Sequence, residues 1–216
     1  MQRELERELK QYPSRIIEHA TLSQILSNLG YSRINDKIVQ LKTKGVLTAL
    51  KSGLYLYNPV YDGSLVSKEI IANLLLGPSY ISFDYALWFH GLIPESVETV
   101  QSATTKRSKS YNTPLGIFSY RQVKKELYNI ALEIHNSKSG SFLIASKEKA
   151  LCDKVYYTKD IPIRSKSAMV EFLEDDLRID LDELVESDIK VFGEYYKVTK
   201  SKKIALLKKI IEELQQ

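Results

Sequence analysis

The sequence predicts an α+β fold, in which a small N-terminal unit of helices and a hairpin precedes a larger mixed α/β domain. Three observations support this prediction. Two short amphipathic helix patterns meet at a glycine-containing turn near residue 30, two strand-like runs follow before residue 58, and strand and helix patterns alternate over the rest of the 216-residue chain. The segment 58–64 is rich in loop-forming residues, so we expect two domains, residues 1–63 and 64–216.

The first helical elements are set by charge and by apolar spacing. Segment 2–11 predicts a charged helix, and segment 15–17 predicts a short extended piece. A further helix is expected to begin at Thr21, because Gln24 stands three residues later as in a capping box. One apolar face of this helix is formed by Leu22, Ile25, Leu26 and Leu29. Gly30 stands where a C-terminal cap is expected.

A second helix and a hairpin complete the N-terminal unit. Ser32 is a suitable N-cap for a helix over 33–44, which Gly45 ends and which buries Ile34, Ile38 and Leu41. Two strand-like runs, 46–50 and 54–57, are joined by Lys51-Ser52-Gly53, a common length and composition for a hairpin loop. The order helix, turn, helix, hairpin is typical of a winged helix-turn-helix.

The second domain mixes both element types. Helices are predicted over 68–76, 83–90, 146–157, 168–177 and 201–214, with Ser82 and Ser146 as N-caps of the second and third. Strands are predicted over 97–104, 115–120 and 142–145. This interleaving favours a mixed α/β or α+β domain.

Composition excludes several classes of protein. The chain is 44% hydrophobic and 27% charged, as in ordinary globular proteins and unlike disordered ones. No apolar run approaches the roughly 18 residues that a transmembrane helix needs, and the charged N-terminus is unlike a signal peptide. A single cysteine, Cys152, excludes an intramolecular disulfide. We therefore expect a cytoplasmic protein.

Candidate DNA-binding residues lie on the second helix of the pair. The net charge of +4 is modest, but basic residues cluster along residues 32–52. Arg33, Lys37, Gln40 and Lys44 share one stripe of the predicted helix, and these side-chain types bind guanine and adenine edges in the major groove. Lys51 and Ser52, at the predicted hairpin tip, are expected to contact backbone phosphate.

No catalytic centre is predicted, and we expect no enzyme activity, cofactor or metal. The phosphate-binding glycine loops and the nucleophile elbow are absent from the sequence. His19, His90 and His135 are too scattered to form a ligand motif, and His90 is expected to be buried or capping. Cys152 is expected to be a buried structural residue, and Glu148 is explained by the dipole of its helix.

Aromatic residues cluster at the start of the second domain: Tyr80, Phe83, Tyr85, Trp88 and Phe89. Such a group is compatible with a stacking platform for nucleic-acid bases. A hydrophobic core is the preferred interpretation, because large aromatic side chains at helical spacing are usually buried.

Four stretches of the chain resemble the AbiEi-type antitoxins, the transcriptional regulators of type IV toxin–antitoxin pairs associated with abortive infection by phage. They are Lys44-Gly-Val-Leu47 with Ser52-Gly-Leu-Tyr55, Tyr80–Leu87 with His90-Gly-Leu-Ile-Pro94, 97–106 with Gly116-Ile-Phe-Ser-Tyr120, and Ile144-Ala-Ser-Lys-Glu-Lys-Ala-Leu-Cys-Asp153. The last stretch and the Ala86-Leu87…His90-Gly91-Leu92 block are the most specific. The resemblance covers roughly residues 13–160.

The resemblance implies a function for each domain. A winged helix would bind inverted repeats in its own operon promoter and repress it, and the C-terminal domain would counter a nucleotidyltransferase-like toxin without forming a stable complex. A further surface, formed by Lys106, Arg107, Lys109 and Arg121, is expected to contact DNA or an RNA target shared with the toxin.

Two alternatives stay open on the sequence alone. One is a nucleic-acid-modifying enzyme that a winged helix targets to its substrate, which the missing catalytic motifs argue against. The other is a protein-interaction module, because winged helices also bind proteins. The basic stripe along 33–44 favours DNA, since partner surfaces are more often apolar.

Overall fold

The computed structural model describes residues 2–58 and 66–216 and has a mixed α/β architecture with two sheets, consistent with the predicted α+β class. The first part contains α1 (Gln2–Leu9), β1 (Ile16–Glu18), α2 (His19–Asn28), α3 (Ile34–Thr43), β2 (Leu47–Lys51) and β3 (Leu54–Tyr57). The predicted boundary at residues 63/64 lies outside the described residues.

The second part begins at Val66. Its strands are β4 (Ser79–Ile81), β5 (Val100–Thr104), β6 (Lys109–Thr113), β7 (Gly116–Gln122), β8 (Leu132–Ser137) and β9 (Gly140–Ala145). Its helices are α4 (Lys68–Leu75), α5 (Phe83–Phe89), α6 (Lys125–Tyr128), α7 (Lys147–Tyr157), α8 (Lys166–Glu171), α9 (Ile189–Thr199) and α10 (Lys202–Leu214). A π-helical turn, Phe172–Asp176, continues α8, and a 3₁₀ turn spans Leu181–Leu184.

The small sheet has the order β1-β3-β2 and is antiparallel throughout. All four residues of its central strand, β3, are buried. Tyr55 and Tyr57 pack into the core under α1, α2 and α3, while Leu54 and Leu56 point to the other face and join the larger core of the second part. The small sheet therefore lies between two cores, and the second part covers its outer face.

Helices α2 and α3 are amphipathic as predicted, but their N-terminal caps differ from the prediction. Helix α2 begins at His19, not Thr21, and its cap residue is Glu18, so the predicted capping box is wrong. Strand β1 leads directly into the helix, and the His19 N–H donates to the Gly53 carbonyl at 2.8 Å. Helix α3 likewise has Arg33 as its cap residue, without a side-chain hydrogen bond.

The glycines at the helix ends are where the sequence predicts them. Gly30 and Gly45 follow α2 and α3 with φ of +82° and +69°, the left-handed conformation that glycine adopts without a steric penalty. The glycine before β3, Gly53, has φ of +77° in the two-residue turn Ser52–Gly53. The hairpin loop is thus one residue shorter than predicted, because Lys51 belongs to β2.

The large sheet has the order β6-β7-β5-β4-β9-β8, with parallel pairs β5–β7 and β4–β9. Helix α4 covers one face, where the Tyr120 hydroxyl donates to the Ala72 carbonyl at 2.5 Å. Helices α5 and α7 lie on the other face, where Arg121 contacts the Tyr157 carbonyl and the Gln101 side chain accepts a hydrogen bond from the Asp84 N–H.

Three of the strands were not predicted: β4, β6 and β8. Strand β4 has only three residues, and the other two are the edges of the sheet. The edge strand β8 is exposed along most of its length, with Ile134 70% exposed, and only Leu132-Glu-Ile-His135 alternates apolar and polar residues, which is a short signal. Among the described residues, no helix is long and apolar enough to cross a membrane.

Candidate nucleic-acid interface

Helix α3 is held by one apolar face and leaves the opposite face open. Ile38 and Leu41 are buried against α2 and the small sheet, and Ile34 packs at the edge of the same core. At 100° per residue, the positions farthest from this face form one ridge. This outer ridge consists of Asp36, Val39, Gln40 and Thr43, all exposed. Val39 is 56% exposed and is the apolar residue of this ridge.

The predicted basic stripe lies on the flank of the helix and not on the outer ridge, apart from Gln40, which belongs to both. Arg33 and Lys44 are exposed and occupy the two cap positions of α3. Lys37 is only half-exposed, because its Nζ donates to Gln40 Oε1 at 3.0 Å and lies 4.7 Å from the centre of the Tyr31 ring. The structure thus separates two exposed cations at the ends of the helix from one cation that is held by Gln40 and Tyr31.

Sequence reasoning missed three residues of the outer ridge: Asp36, Val39 and Thr43. The signal was available, because the ridge lies opposite the apolar positions 34, 38 and 41. The predicted stripe was chosen mainly for its basic residues, and it lies roughly a quarter-turn around the helix from the outer ridge. The Thr43 hydroxyl donates to the Val39 carbonyl at 3.1 Å, so this hydroxyl can still accept a hydrogen bond and the methyl is available for apolar contact.

The hairpin tip differs from the prediction at Lys51. Its Nζ donates to the Leu75 carbonyl at 2.6 Å and lies 3.4 Å from the Leu74 carbonyl, at the C-terminal end of α4. Carbonyls in the last turn of a helix lack intrahelical partners and carry partial negative charge, so they attract a cation. The structure therefore gives Lys51 a partner within the chain, and its phosphate contact stays a prediction. Ser52 stays exposed at the turn.

The four basic residues proposed as a second surface do not form one patch. Lys109 pairs with Tyr120, and its Nζ lies 4.6 Å from the Tyr111 ring, on the sheet face that α4 covers. Arg121 follows Tyr120 and therefore points to the opposite face. Lys106 donates to the Gly77 carbonyl, and Arg107 is exposed in the loop before β6. The pleat of β7 separates residues that the sequence had grouped by charge.

The most specific motif of the resemblance forms a buried polar cluster. Lys149 and Asp153 on α7 are both fully buried, with 3.8 Å between Nζ and Oδ2. Asp153 accepts hydrogen bonds from the hydroxyls of Tyr80 (3.0 Å), Ser82 (2.7 Å) and Tyr195 (2.7 Å). Lys149 also donates to the Leu127 carbonyl at 2.7 Å. These contacts join β4, the residue before α5, α6, α7 and α9.

Burial controls the protonation of this cluster. It raises the pKa values of Tyr80 and Tyr195 well above their usual range, and the negative charge of Asp153 adds to the shift. Burial lowers the pKa of Lys149, while Asp153 opposes that change. The cluster is enclosed and its hydrogen-bonding groups are paired, as expected of an element that fixes the packing of α7.

The other candidate groups of the second part have structural contacts. Glu148 accepts hydrogen bonds from the Ser146 hydroxyl and the Asp188 N–H. His90 ends α5, with its Nε2 2.8 Å from the Ala145 carbonyl, which confirms the expected capping position. Cys152 is buried as predicted, and burial raises the pKa of its thiol. Three of the five clustered aromatic residues are buried in the core, which confirms the core interpretation for them: Tyr80, Phe83 and Tyr85.

Comparison with known proteins gives a likeness at the level of fold. No protein-family model matches the sequence, and no curated protein matches it. A solved structure, the RV2827C protein from Mycobacterium tuberculosis, is similar to this chain with a TM-score of 0.54 and 13% sequence identity. The similarity covers 98% of this chain and 80% of that chain. The chain therefore shares its overall fold with the mycobacterial protein.

Proposed function

We propose that this chain is a DNA-binding transcriptional autorepressor and the antitoxin of a type IV toxin–antitoxin pair. The observation that supports DNA binding is the outward face of α3, which is open along the helix, has an exposed Val39 among polar side chains, and ends in Arg33 and Lys44. In this proposal α2, α3 and the β2–β3 hairpin act as a winged helix-turn-helix.

In the proposed complex, α3 lies in the major groove and its outer ridge faces the base edges. Gln40 is suited to adenine, Asp36 to the amino group of cytosine, and the methyl groups of Val39 and Thr43 to thymine. Arg33 and Lys44 are placed at the two ends of the helix, where they bind phosphates of the groove walls and set the position of the helix. Ser52 contacts phosphate at the hairpin tip.

The antitoxin half of the proposal depends on the resemblance to the AbiEi-type antitoxins. It assigns binding to inverted repeats in the chain's own promoter and opposition to a nucleotidyltransferase-like toxin, without a stable complex between the two proteins. The most specific stretch of that resemblance, 144–153, forms the buried cluster around Asp153. We infer that these residues maintain the domain and that the neutralising surface lies elsewhere.

The test of DNA binding is a gel-shift titration of the full chain against its own upstream DNA, at two salt concentrations and with a scrambled competitor. The full chain is needed because Leu54 and Leu56 pack against the second part, so removal of either part would expose their apolar surface. We expect a selective shift that weakens steeply with salt, since bound lysine and arginine release counterions from the phosphates.

Lys44 and Lys51 provide a matched pair of variants for the titration. Lys44→Ala removes an exposed cation from the proposed interface, and we expect weaker binding to all sequences with a salt slope lower by about one. Lys51→Ala removes a cation that binds the end of α4, and we expect unchanged affinity. The absence of a selective shift at any salt concentration would reject the repressor.

The antitoxin half needs a separate experiment. Co-expression with the toxin encoded beside it should restore growth, and affinity purification of either protein should not retain the other. Growth arrest despite normal levels of both proteins would reject neutralisation. A stable complex would favour the alternative in which the chain acts as a protein-interaction module.

A further inference from the structure

An open cleft lies on the α5–α7 face of the large sheet, on the far side of the sheet from α4. Its volume is about 810 Å³, within the usual range for small-molecule sites. The floor includes Gln101 and Ser119, and the walls come from the start of α5, the end of α7 and the loop that follows α7. The cleft is formed because α5 and α7 leave the interior strands β5 and β7 partly uncovered on this face.

Arg121 forms a fixed, planar, positively charged surface in the cleft. Its guanidinium carbon lies 5.5 Å from the centre of the Phe83 ring and 6.0 Å from that of Tyr157. One guanidinium nitrogen donates to the Tyr157 carbonyl at 2.9 Å, which fixes the orientation of the plane. A guanidinium group held in this way can take a flat aromatic group against its plane.

The charges in the cleft favour an anionic ligand. Lys154 and Asp84 form an ion pair at 2.6 Å and largely neutralise each other. Arg121 and Lys159 then face one further carboxylate, Asp160, and Lys159 is exposed with no ion pair among residues 2–58 and 66–216. Two more cations stand beside the same wall: the Lys124 Nζ lies 5.8 Å from the Tyr156 ring, and Lys203 donates to the Thr158 carbonyl.

We propose that this cleft is a nucleotide-binding site. A nucleotide matches two features of the cleft: its flat base can stack on the Arg121 guanidinium, and its phosphates can bind Lys159. The apolar walls at Phe83, Tyr157 and Ile161 provide contact for the base and sugar. The ligand is either a free nucleoside phosphate or the 5′-phosphorylated end of a strand, since both present the same chemistry. This inference is independent of DNA binding by α3.

The test is isothermal titration calorimetry of the full chain with the four ribonucleoside triphosphates, with inorganic triphosphate, and with short oligoribonucleotides that carry or lack a 5′-phosphate. We expect saturable binding of at least one nucleotide, and much weaker binding of inorganic triphosphate. Tighter binding of the 5′-phosphorylated oligonucleotide than of the mononucleotide identifies a strand end as the ligand. The reverse order identifies a free nucleotide.

Three variants locate the binding. Arg121→Gln and Lys159→Gln should each weaken binding by about tenfold or more, because each removes a charged partner of the ligand. Arg164→Gln makes the same kind of charge change at an exposed residue outside the cleft, and binding should be unchanged. Lys159→Gln keeps the test valid if Arg121→Gln unfolds the chain.

Three results would overturn the proposal. One is no saturable binding of any nucleotide or 5′-phosphorylated oligonucleotide at millimolar concentration. Another is equal affinity for inorganic triphosphate, which would show a phosphate site without base recognition. The third is binding that survives Lys159→Gln and Arg121→Gln in folded protein, which would place the ligand elsewhere.

Discussion

Helices α3 and α7 are nearly the same length, 10 and 11 residues, but they use their polar side chains in opposite ways. On α7, Lys149 and Asp153 are fully buried and paired. On α3, only Ile38 and Leu41 are buried, and the polar residues face solvent. The helix with the most distinctive sequence thus belongs to the core, and the helix with an ordinary sequence presents the candidate binding surface.

The difference has a physical cause. A buried charge requires specific partners at fixed distances, so few sequences satisfy the positions around Asp153. An exposed helix face needs no particular partner for stability, so its sequence carries little local signal. A distinctive motif can therefore mark a structural cluster, and a functional surface has to be located from exposure.

The largest expected effect tests the buried polar cluster of α7. Asp153→Ala leaves Lys149 buried without its counter-ion and three hydroxyls without their acceptor. We expect the free energy of unfolding to fall by about 3–5 kcal/mol, measured by urea denaturation. Asp160→Ala, at an exposed carboxylate, is the control and should leave stability unchanged. A loss as small as that of the control would show that the cluster does not hold α7 in place.

A second prediction concerns the alkaline limit of stability. The pKa of Tyr195 is raised by burial and by Asp153, so the folded chain keeps this proton at pH values where an unfolded tyrosine, with a pKa of about 10, loses it. Stability from this group is complete below that pH and falls as pH rises, by about 1.4 kcal/mol per pH unit. Tyr195→Phe should reduce the slope of unfolding free energy against pH by that amount.

Urea denaturation between about pH 10 and 12 measures this slope, because the unfolded tyrosine is mostly ionised only above its pKa of about 10. Tyr196→Phe is the matched control, because Tyr196 is the adjacent residue on α9 and is 36% exposed. The hydrogen bond lost in Tyr195→Phe lowers stability at every pH and does not change the slope. Equal slopes for the two variants would show that Tyr195 titrates alike in the folded and unfolded chain.

The smallest expected effect tests the exposed face of α3. If Val39 contacts a thymine methyl, Val39→Ala should weaken binding to the chain's own upstream DNA by about 1 kcal/mol. Replacement of each thymine in turn by uracil removes only the methyl group from the DNA. At the thymine that Val39 contacts, the loss of affinity from uracil and the loss from Val39→Ala should not add. If the two losses add at every thymine, Val39 contacts no thymine methyl. The wider question of whether α3 binds DNA is then answered by comparing Lys44→Ala with Lys51→Ala.

Much of the fold could be predicted from local sequence. The apolar spacing gave α2 and α3, the glycines gave their C-terminal ends, and Ser146 was correctly placed as the cap of α7, where its hydroxyl accepts from the Lys149 N–H. Strands β5, β7 and β9 were predicted with shifted ends. The edge strand β6 was missed because its sequence, Lys109-Ser-Tyr-Asn-Thr113, has no apolar alternation, as a strand that faces solvent does not need it.

The candidate sites were predicted less well. The sequence proposed α3 as the DNA-binding helix and selected Arg33, Lys37, Gln40 and Lys44 on it, but it did not select the exposed Val39. Lys106, Lys109 and Arg121 were grouped because they are near in sequence, and the pleat of β7 sends Arg121 to the face opposite Lys109. The cleft around Arg121 had no sequence signal, because its walls come from segments 83–84, 101–122 and 154–161.

The sequence by itself determined what depends on neighbouring residues: the helical spacing, the turns at Gly30 and Gly45, and the α+β class. Only the tertiary structure decided which side chains are exposed and which are held by other parts of the chain. It placed Lys51 on the end of α4, enclosed Lys149 with Asp153, and left Val39 exposed. The physical reason is range. Backbone hydrogen bonds within helices and turns join residues a few positions apart, whereas burial and ion pairing depend on segments far apart in the chain.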